Sequence, residues 1–157
     1  MGKISEILPV QRIYLDANVF IYLLEEYPPY VQVLTELFSL IDSGELQAVT
    51  SELTLAETLV KPKMDENTEL QQAYQDMLLT SYSLELVPIN VDILIEAATL
   101  RAKTHQIKLP DAIHAATAYI SQCQAFITND KSLKGIAHIK VMILSDIAAL
   151  LASSQSE

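Results

Sequence analysis

The chain has 157 residues, half of them hydrophobic, with 3 Gly, 6 Pro and a single Cys. That composition suits one domain over 1–157 burying about two thirds of its unfolded surface, and it excludes a low-complexity or disulfide-built chain. Twenty acidic against ten basic residues leave a formal net charge of −10, which argues against nucleic-acid binding by bulk positive charge.

In chain order, Arg12–Leu15 reads as a short strand, and Asp16 turns the chain into an apolar helix over 19–24 that the YPPY segment stops. Leu34, Leu37, Phe38 and Ile41 recur at helical spacing, with Gly44 as terminator. Residues 47–50 read as a buried strand, and Ser51 or Thr54 caps a helix that carries Glu57 and ends near Lys61 and Pro62. After a polar linker over 65–67, Leu70, Tyr74, Met77 and Leu78 form another helical stripe. A strand over 84–89 follows, then a helix capped by Asn90 running to about Lys103, and a further helix with Pro110 at its first position. Ala125–Thr128 is a strand ending at the turn residues Asn129 and Asp130; 140–144 is the last strand, Ser145 caps the terminal helix, and the polar tail frays from about 153. Five strands separated by helices predict a three-layer α/β/α fold with a five-stranded, mainly parallel sheet, because right-handed crossovers cover both faces.

Four acids, Asp16, Glu57, Asp111 and Asp130, stand where a strand ends or a helix begins. In a parallel sheet these junctions share one edge, so the carboxylates are expected to meet in a crevice at the carboxyl ends of the strands. Two such charges about 4 Å apart repel by roughly 4 kcal/mol at an effective dielectric near 20, a cost that a hard divalent cation relieves. Each acid also has a local explanation. Asp16 can cap a helix, Asp111 can complement a helix N-terminus, Thr54 and Glu57 have capping-box spacing, and Asp130 can close a turn. Lys61, Lys63, Arg101, Lys103, Lys108, Lys131 and Lys134 flank the acids in sequence, either as a basic rim or as ordinary solvated charge.

The strings YLDANVFIYLLE, SELTLAETLV, KLPDAIHAATA and FITNDKSL, which hold the four acids in order, together resemble the PIN-domain family of metal-dependent ribonucleases, and within it the compact VapC-type toxins. The resemblance spans about 13–147. It implies a PIN-like fold with Asp16, Glu57, Asp111 and Asp130 as catalytic and metal-binding acids, and Mg²⁺ or Mn²⁺ as cofactor. It further implies an RNA substrate, an antitoxin protein as partner, and a homodimer. Asn18 and Thr128 fall inside the matched strings as second-tier residues that orient a carboxylate or a water, or else serve as a cap and a strand-end hydroxyl.

Other residues are read as structural. His114, one turn after Asp111 but among Ala and Ile, is taken as a core or helix-interface histidine; Cys123 as a partly buried, inert thiol; and the tyrosines as too scattered for a base-stacking platform. Phe20, Tyr22, Tyr27 and Tyr30 mark 19–30 as a candidate contact surface. Apolar runs too short to span a bilayer and an MGKISEILPVQ start without a secretory pattern predict a cytoplasmic protein with no membrane partner. The alternatives are a housekeeping nuclease of the same fold, a noncatalytic protein-binding domain, and a phosphatase using an aspartyl-phosphate, the last weakened by Asn18 where such enzymes commonly place a second Asp.

Overall fold

The computed structural model describes residues 3–136 and 138–155. Its centre is one sheet of five strands, β1 (Arg12–Leu15), β2 (Gln47–Ser51), β3 (Leu84–Val87), β4 (Ala125–Thr128) and β5 (Val141–Ile143), in the order β3-β2-β1-β4-β5. All four pairings are parallel, with Tyr14 opposite both Val49 and Phe126. Among the described residues, eight α-helices surround it: α1 (Ile4–Ile7), α2 (Ala17–Leu24), α3 (Val31–Asp42), α4 (Glu52–Met64), α5 (Thr68–Thr80), α6 (Val91–Lys103), α7 (Leu109–Ile120) and α8 (Leu144–Gln155).

Strand alternation divides the apolar residues into two cores. Ile13, Leu15, Ala48, Ala125 and Ile127 face a layer that includes Val19 and Phe20 of α2, Val33, Leu34 and Leu37 of α3, and Ile147 and Leu151 of α8. Tyr14, Val49 and Phe126 face the opposite layer, packed with Ile93, Ala97 and Leu100 of α6 and the small residues Ala112, Ala115 and Ala116 of α7. Because Ala side chains leave little bulk between backbones, α7 lies close to the sheet and to α6. The predicted α/β/α layering is therefore realised.

The departures from expectation are local. The helix α2 starts at Ala17, since Asp16 itself is the N-cap. Helix α4 continues through Pro62 to Met64: the proline ring is buried, and the Asp65 and Asn67 N–H groups bond back to the Lys61 and Pro62 carbonyls. Strand β3 stops at Val87, because Pro88 has no N–H to donate to a ladder. Ser145 lies inside α8, which begins at Leu144, and its N–H donates to Asn129 Oδ1 at 3.0 Å; the cap comes from a residue distant in sequence. Helix α8 is still regular at Ser153, against the expected fraying, and 156–157 lie outside the described residues. The four-residue helix α1 is too short for a periodic signal. Gly44 ends α3 as expected, at φ +84°, where a side chain would be strained. Burial pushes the Cys123 thiol up to about 11, in keeping with an inert cysteine. None of the described helices is long and apolar enough to cross a membrane.

Candidate active site

The strand order reverses direction between β1 and β4, and the crevice outside their carboxyl ends is where ligands bind in open α/β sheets. Asp16 follows β1 directly, and Thr128, Asn129 and Asp130 end β4 beside it. The two strand ends are tied together. Thr128 Oγ1 donates to Asp16 Oδ2 at 2.7 Å, Asn18 Nδ2 reaches Thr128 Oγ1 at 3.2 Å and Asp16 Oδ2 at 3.5 Å, and the Asn129 N–H donates to Asn18 Oδ1 at 3.2 Å. Asp16 is only 7% exposed, and its other oxygen accepts the Ala17 N–H at 2.8 Å. Asn18 and Thr128 therefore both hydrogen-bond the carboxylate of Asp16.

Asp111 enters from the first turn of α7, where its carboxylate accepts the Lys108 N–H at 3.2 Å. Burial first, and the negative fields of Asp16 and Asp130 after it, raise its pKa above the usual carboxylate range against the Lys108 hydrogen bond and the proximity of His114. Asp130 accepts the Ser132 N–H at 3.0 Å and the Ser132 hydroxyl at 2.6 Å, opening a 3-10 turn over Lys131–Leu133. Three of the four acids thus perform the local capping that sequence allowed, and the same three are electrostatically coupled.

Glu57 departs from its local alternative. Ser51 caps α4 by accepting the Leu53 N–H, and Thr54 is buried against Thr50, with hydroxyl oxygens 2.7 Å apart, so no capping box involves Glu57. Its carboxylate instead hydrogen-bonds His114 Nε2. His114 is 1% exposed, as a core histidine should be, but it lies within the acidic site: Nε2 is 3.6 Å from Asp16 Oδ1, and Nδ1 is 2.5 Å from the Tyr14 hydroxyl. Burial opposes a charged imidazole, yet the Glu57 hydrogen bond and the fields of Asp16, Glu57 and Asp111 outweigh it and raise the His114 pKa. Burial and the Asp16 field hold the Tyr14 hydroxyl protonated well beyond its ordinary range. The sequence carried one signal for this residue, the one-turn spacing from Asp111.

The donor set is made of carboxylates alone, which suits a hard cation with oxygen ligands. Among the described residues, no three His, Cys, Asp or Glu side chains are gathered as a ready ligand shell. Asp111 is electrostatically coupled to Asp16 and Asp130, and His114 to Asp16, Glu57 and Asp111. Lys61 and Lys134 pair with Asp65 at 2.9 Å and Asp146 at 3.3 Å on exposed surface. Beside the crevice, Tyr22, Tyr27 and Tyr30 do cluster, with ring centroids 5.1 to 5.5 Å apart, and Asn129 Nδ2 reaches the Tyr30 hydroxyl at 3.1 Å. Three of the seven tyrosines are thus gathered by the turn between α2 and α3.

Comparison with known proteins agrees with the fold. The chain is similar in structure to the VapBC2 complex of Rickettsia felis bound to a promoter DNA fragment, with a TM-score of 0.69 and 19% identity over 85% of this chain and 98% of that one. It is also similar to a toxin-antitoxin complex from Klebsiella pneumoniae, at 0.63 and 26% over 84% and 97%, and to FitAcB from Neisseria gonorrhoeae, at 0.63 and 26% over the same shares. No curated protein matches in sequence. The family model for the PIN domain matches residues 13–139, an interval that contains all four acids, and the chain therefore belongs to the PIN domain family, whose members are in general nucleases.

Proposed function

We propose that this chain, acting as a single domain over 1–157, is a Mg²⁺- or Mn²⁺-dependent endoribonuclease and the toxin of a toxin-antitoxin pair in the cytoplasm. The observation that carries the reading is the electrostatic coupling of Asp111 to Asp16 and Asp130, carboxylates from three separate elements, which adds to the burial that is the largest cause of the raised Asp111 pKa. A bound cation supplies a Lewis acid that activates water and offsets charge on a phosphoryl oxygen. Asp16, Asp111 and Asp130 would hold that cation, directly or through water. Glu57 is a further ligand or orients the attacking water. Asn18 and Thr128 keep Asp16 in place. The test is incubation of the purified protein with mixed structured RNAs, with Mg²⁺, with Mn²⁺ and with excess chelator; cleavage in chelator, or none with either ion, would end the proposal.

The raised Asp111 pKa, caused first by burial and then by the Asp16 and Asp130 fields, also makes a stability prediction. A carboxyl whose folded pKa lies above its unfolded value subtracts stability at neutral pH, and the penalty disappears as pH falls below both values. Asp111→Asn should therefore melt higher than the unaltered protein in chelator at pH 7, while gaining less from added Mn²⁺, since a native-state ligand stabilises only what binds it. Differential scanning of both proteins, with and without the ion, checks the two directions; an equal gain from Mn²⁺ in both would place the ion elsewhere.

The partner proposal rests on the neighbours that are toxin-antitoxin complexes. An antitoxin that places a basic side chain among the four acids would supply the missing positive charge and inhibit without unfolding. The protein encoded beside this gene should suppress cleavage, and increasing Mn²⁺ should relieve the suppression. The isolated chain should scatter light as a homodimer. A monomer whose cleavage is indifferent to that neighbour would sink both partner assignments and leave the nuclease reading standing.

A further inference from the structure

We propose that His114, backed by Tyr14, is the positioning residue for Glu57: it holds one carboxylate oxygen so that Glu57 orients the attacking water rather than binding the cation. This rests on the nuclease reading. The three residues come from separate elements, Tyr14 from β1, Glu57 from α4 and His114 from α7. A carboxylate can only accept hydrogen bonds, so the His114 Nε2 must carry a proton toward Glu57 Oε1 whether the ring is neutral or charged. The ring's other nitrogen is fixed by the Tyr14 hydroxyl at 2.5 Å, and Tyr14 is itself immobilised by stacking on Phe126 at 4.9 Å.

The bland explanation, a buried histidine that merely needs partners, accounts for the imidazole but not for the choice of partner. The Glu57 side chain is 36% exposed, so water would satisfy it without help. What the hydrogen bond adds is restraint of a side chain with three rotatable bonds. The Nε2 hydrogen goes to Glu57 and not to Asp16, whose nearer oxygen is 3.6 Å away and already accepts the Ala17 N–H. The two acids are thereby differentiated: Asp16 is framed by Ala17, Thr128 and Asn18, and Glu57 is steered by an imidazole that occupies Oε1.

The experiment compares His114→Leu, His114→Gln and Tyr14→Phe with the unaltered protein. His114→Leu should lower kcat for RNA cleavage by about 10- to 100-fold, as removal of an outer partner of a metal site does, with KM unchanged. Calorimetric titration with Mn²⁺ should find its Kd within about twofold of the unaltered value, far below the about 10-fold or greater loss expected if the ring supported a metal ligand. His114→Gln, whose amide can still donate to Glu57, should recover most of the rate. In a Glu57→Gln background His114→Leu should cost almost nothing more, because residues acting through one another are not additive. Independently of activity, the Nε2 proton resonance of His114 should lie far downfield and move upfield in Glu57→Ala. If His114→Leu does not fold, Tyr14→Phe, which removes a single hydroxyl, carries the same kcat and Mn²⁺ measurements. Unaltered kcat, a Mn²⁺ affinity that falls in step with kcat, or additive losses would overturn the positioning role while cleavage by the unaltered protein stood. Absence of RNA cleavage by the unaltered protein would overturn this role and the nuclease reading together.

Discussion

Asp16→Asn is expected to lower metal-dependent RNA cleavage by at least about 100-fold, the upper end of what loss of an outer partner costs a metal site, while the chain stays folded. The substitution removes a charge at nearly constant volume. Asn caps helices about as well as Asp, so the oxygen that accepts the Ala17 N–H at 2.8 Å can be retained. The second oxygen becomes a donor that faces the two groups now donating to it, the Thr128 hydroxyl and the Asn18 amide, so Asn18 must turn away before Thr128 can accept. Rearranging these two hydrogen bonds should cost about 2–3 kcal/mol, too little to unfold a domain. What is lost is the one nearly fully buried carboxylate of the site, at the end of the central strand. Thermal melting in chelator checks the fold, and single-turnover cleavage of a structured RNA with Mn²⁺ checks the rate. A folded Asp16→Asn protein with full activity would show that the chemistry lies elsewhere. A folded variant without activity would also separate an enzyme from a noncatalytic scaffold, in which Asp16 serves only as a cap.

The features legible in the sequence were those with a short-range physical cause. Short consecutive apolar runs such as Ile13, Tyr14 and Leu15 marked strands, and Asn90 and Ser51 marked helix starts, because caps and short buried strands act over two to four residues. The acids were legible as a group because a parallel sheet converts scattered strand ends into one edge. What could not be read were contacts made across elements. Ser145 looked like a cap because Asn129, which does the capping, is sixteen positions earlier. His114 looked like core because its neighbours on α7 are core; only the sheet brings Tyr14 beneath it and α4 brings Glu57 over it. Within the aromatic stretch 19–30, the mutual ring contact of Tyr22, Tyr27 and Tyr30 could not be read because it depends on the turn after α2, in which Glu26 takes a positive φ of 50°. Pro62 inside α4 shows the converse: a strong local stop signal is overridden when the ring is buried and later carbonyls find donors.

Phe126→Ala is expected to destabilise the protein by about 3–5 kcal/mol, the usual cost of truncating a buried Phe and leaving its cavity. The ring has no exposure and sits on β4 between β1 and β5, stacked on Tyr14 with an interplanar angle of 18°. Its layer has little capacity to collapse into the gap. The residues of α7 packed there, Ala112, Ala115 and Ala116, have no side-chain length with which to follow the lost ring. A domain of this size loses roughly 2–4 °C of Tm per kcal/mol, so the melting temperature should fall by about 6–20 °C. The effect on activity should exceed the fraction unfolded. Tyr14 loses the surface that holds its ring, and with it His114 loses the fixed hydroxyl at Nδ1, so cleavage measured well below the new Tm should still be slow in kcat. Phe126→Leu, which keeps most of the apolar volume, should retain more stability than Phe126→Ala yet share part of the kcat defect, because it too lacks an aromatic face for Tyr14. A Phe126→Ala protein that melts within about 1 kcal/mol of the unaltered chain would contradict the packing of this layer. Equal kcat in all three proteins would show that Tyr14 needs no aromatic support to keep the His114 ring in register with Glu57.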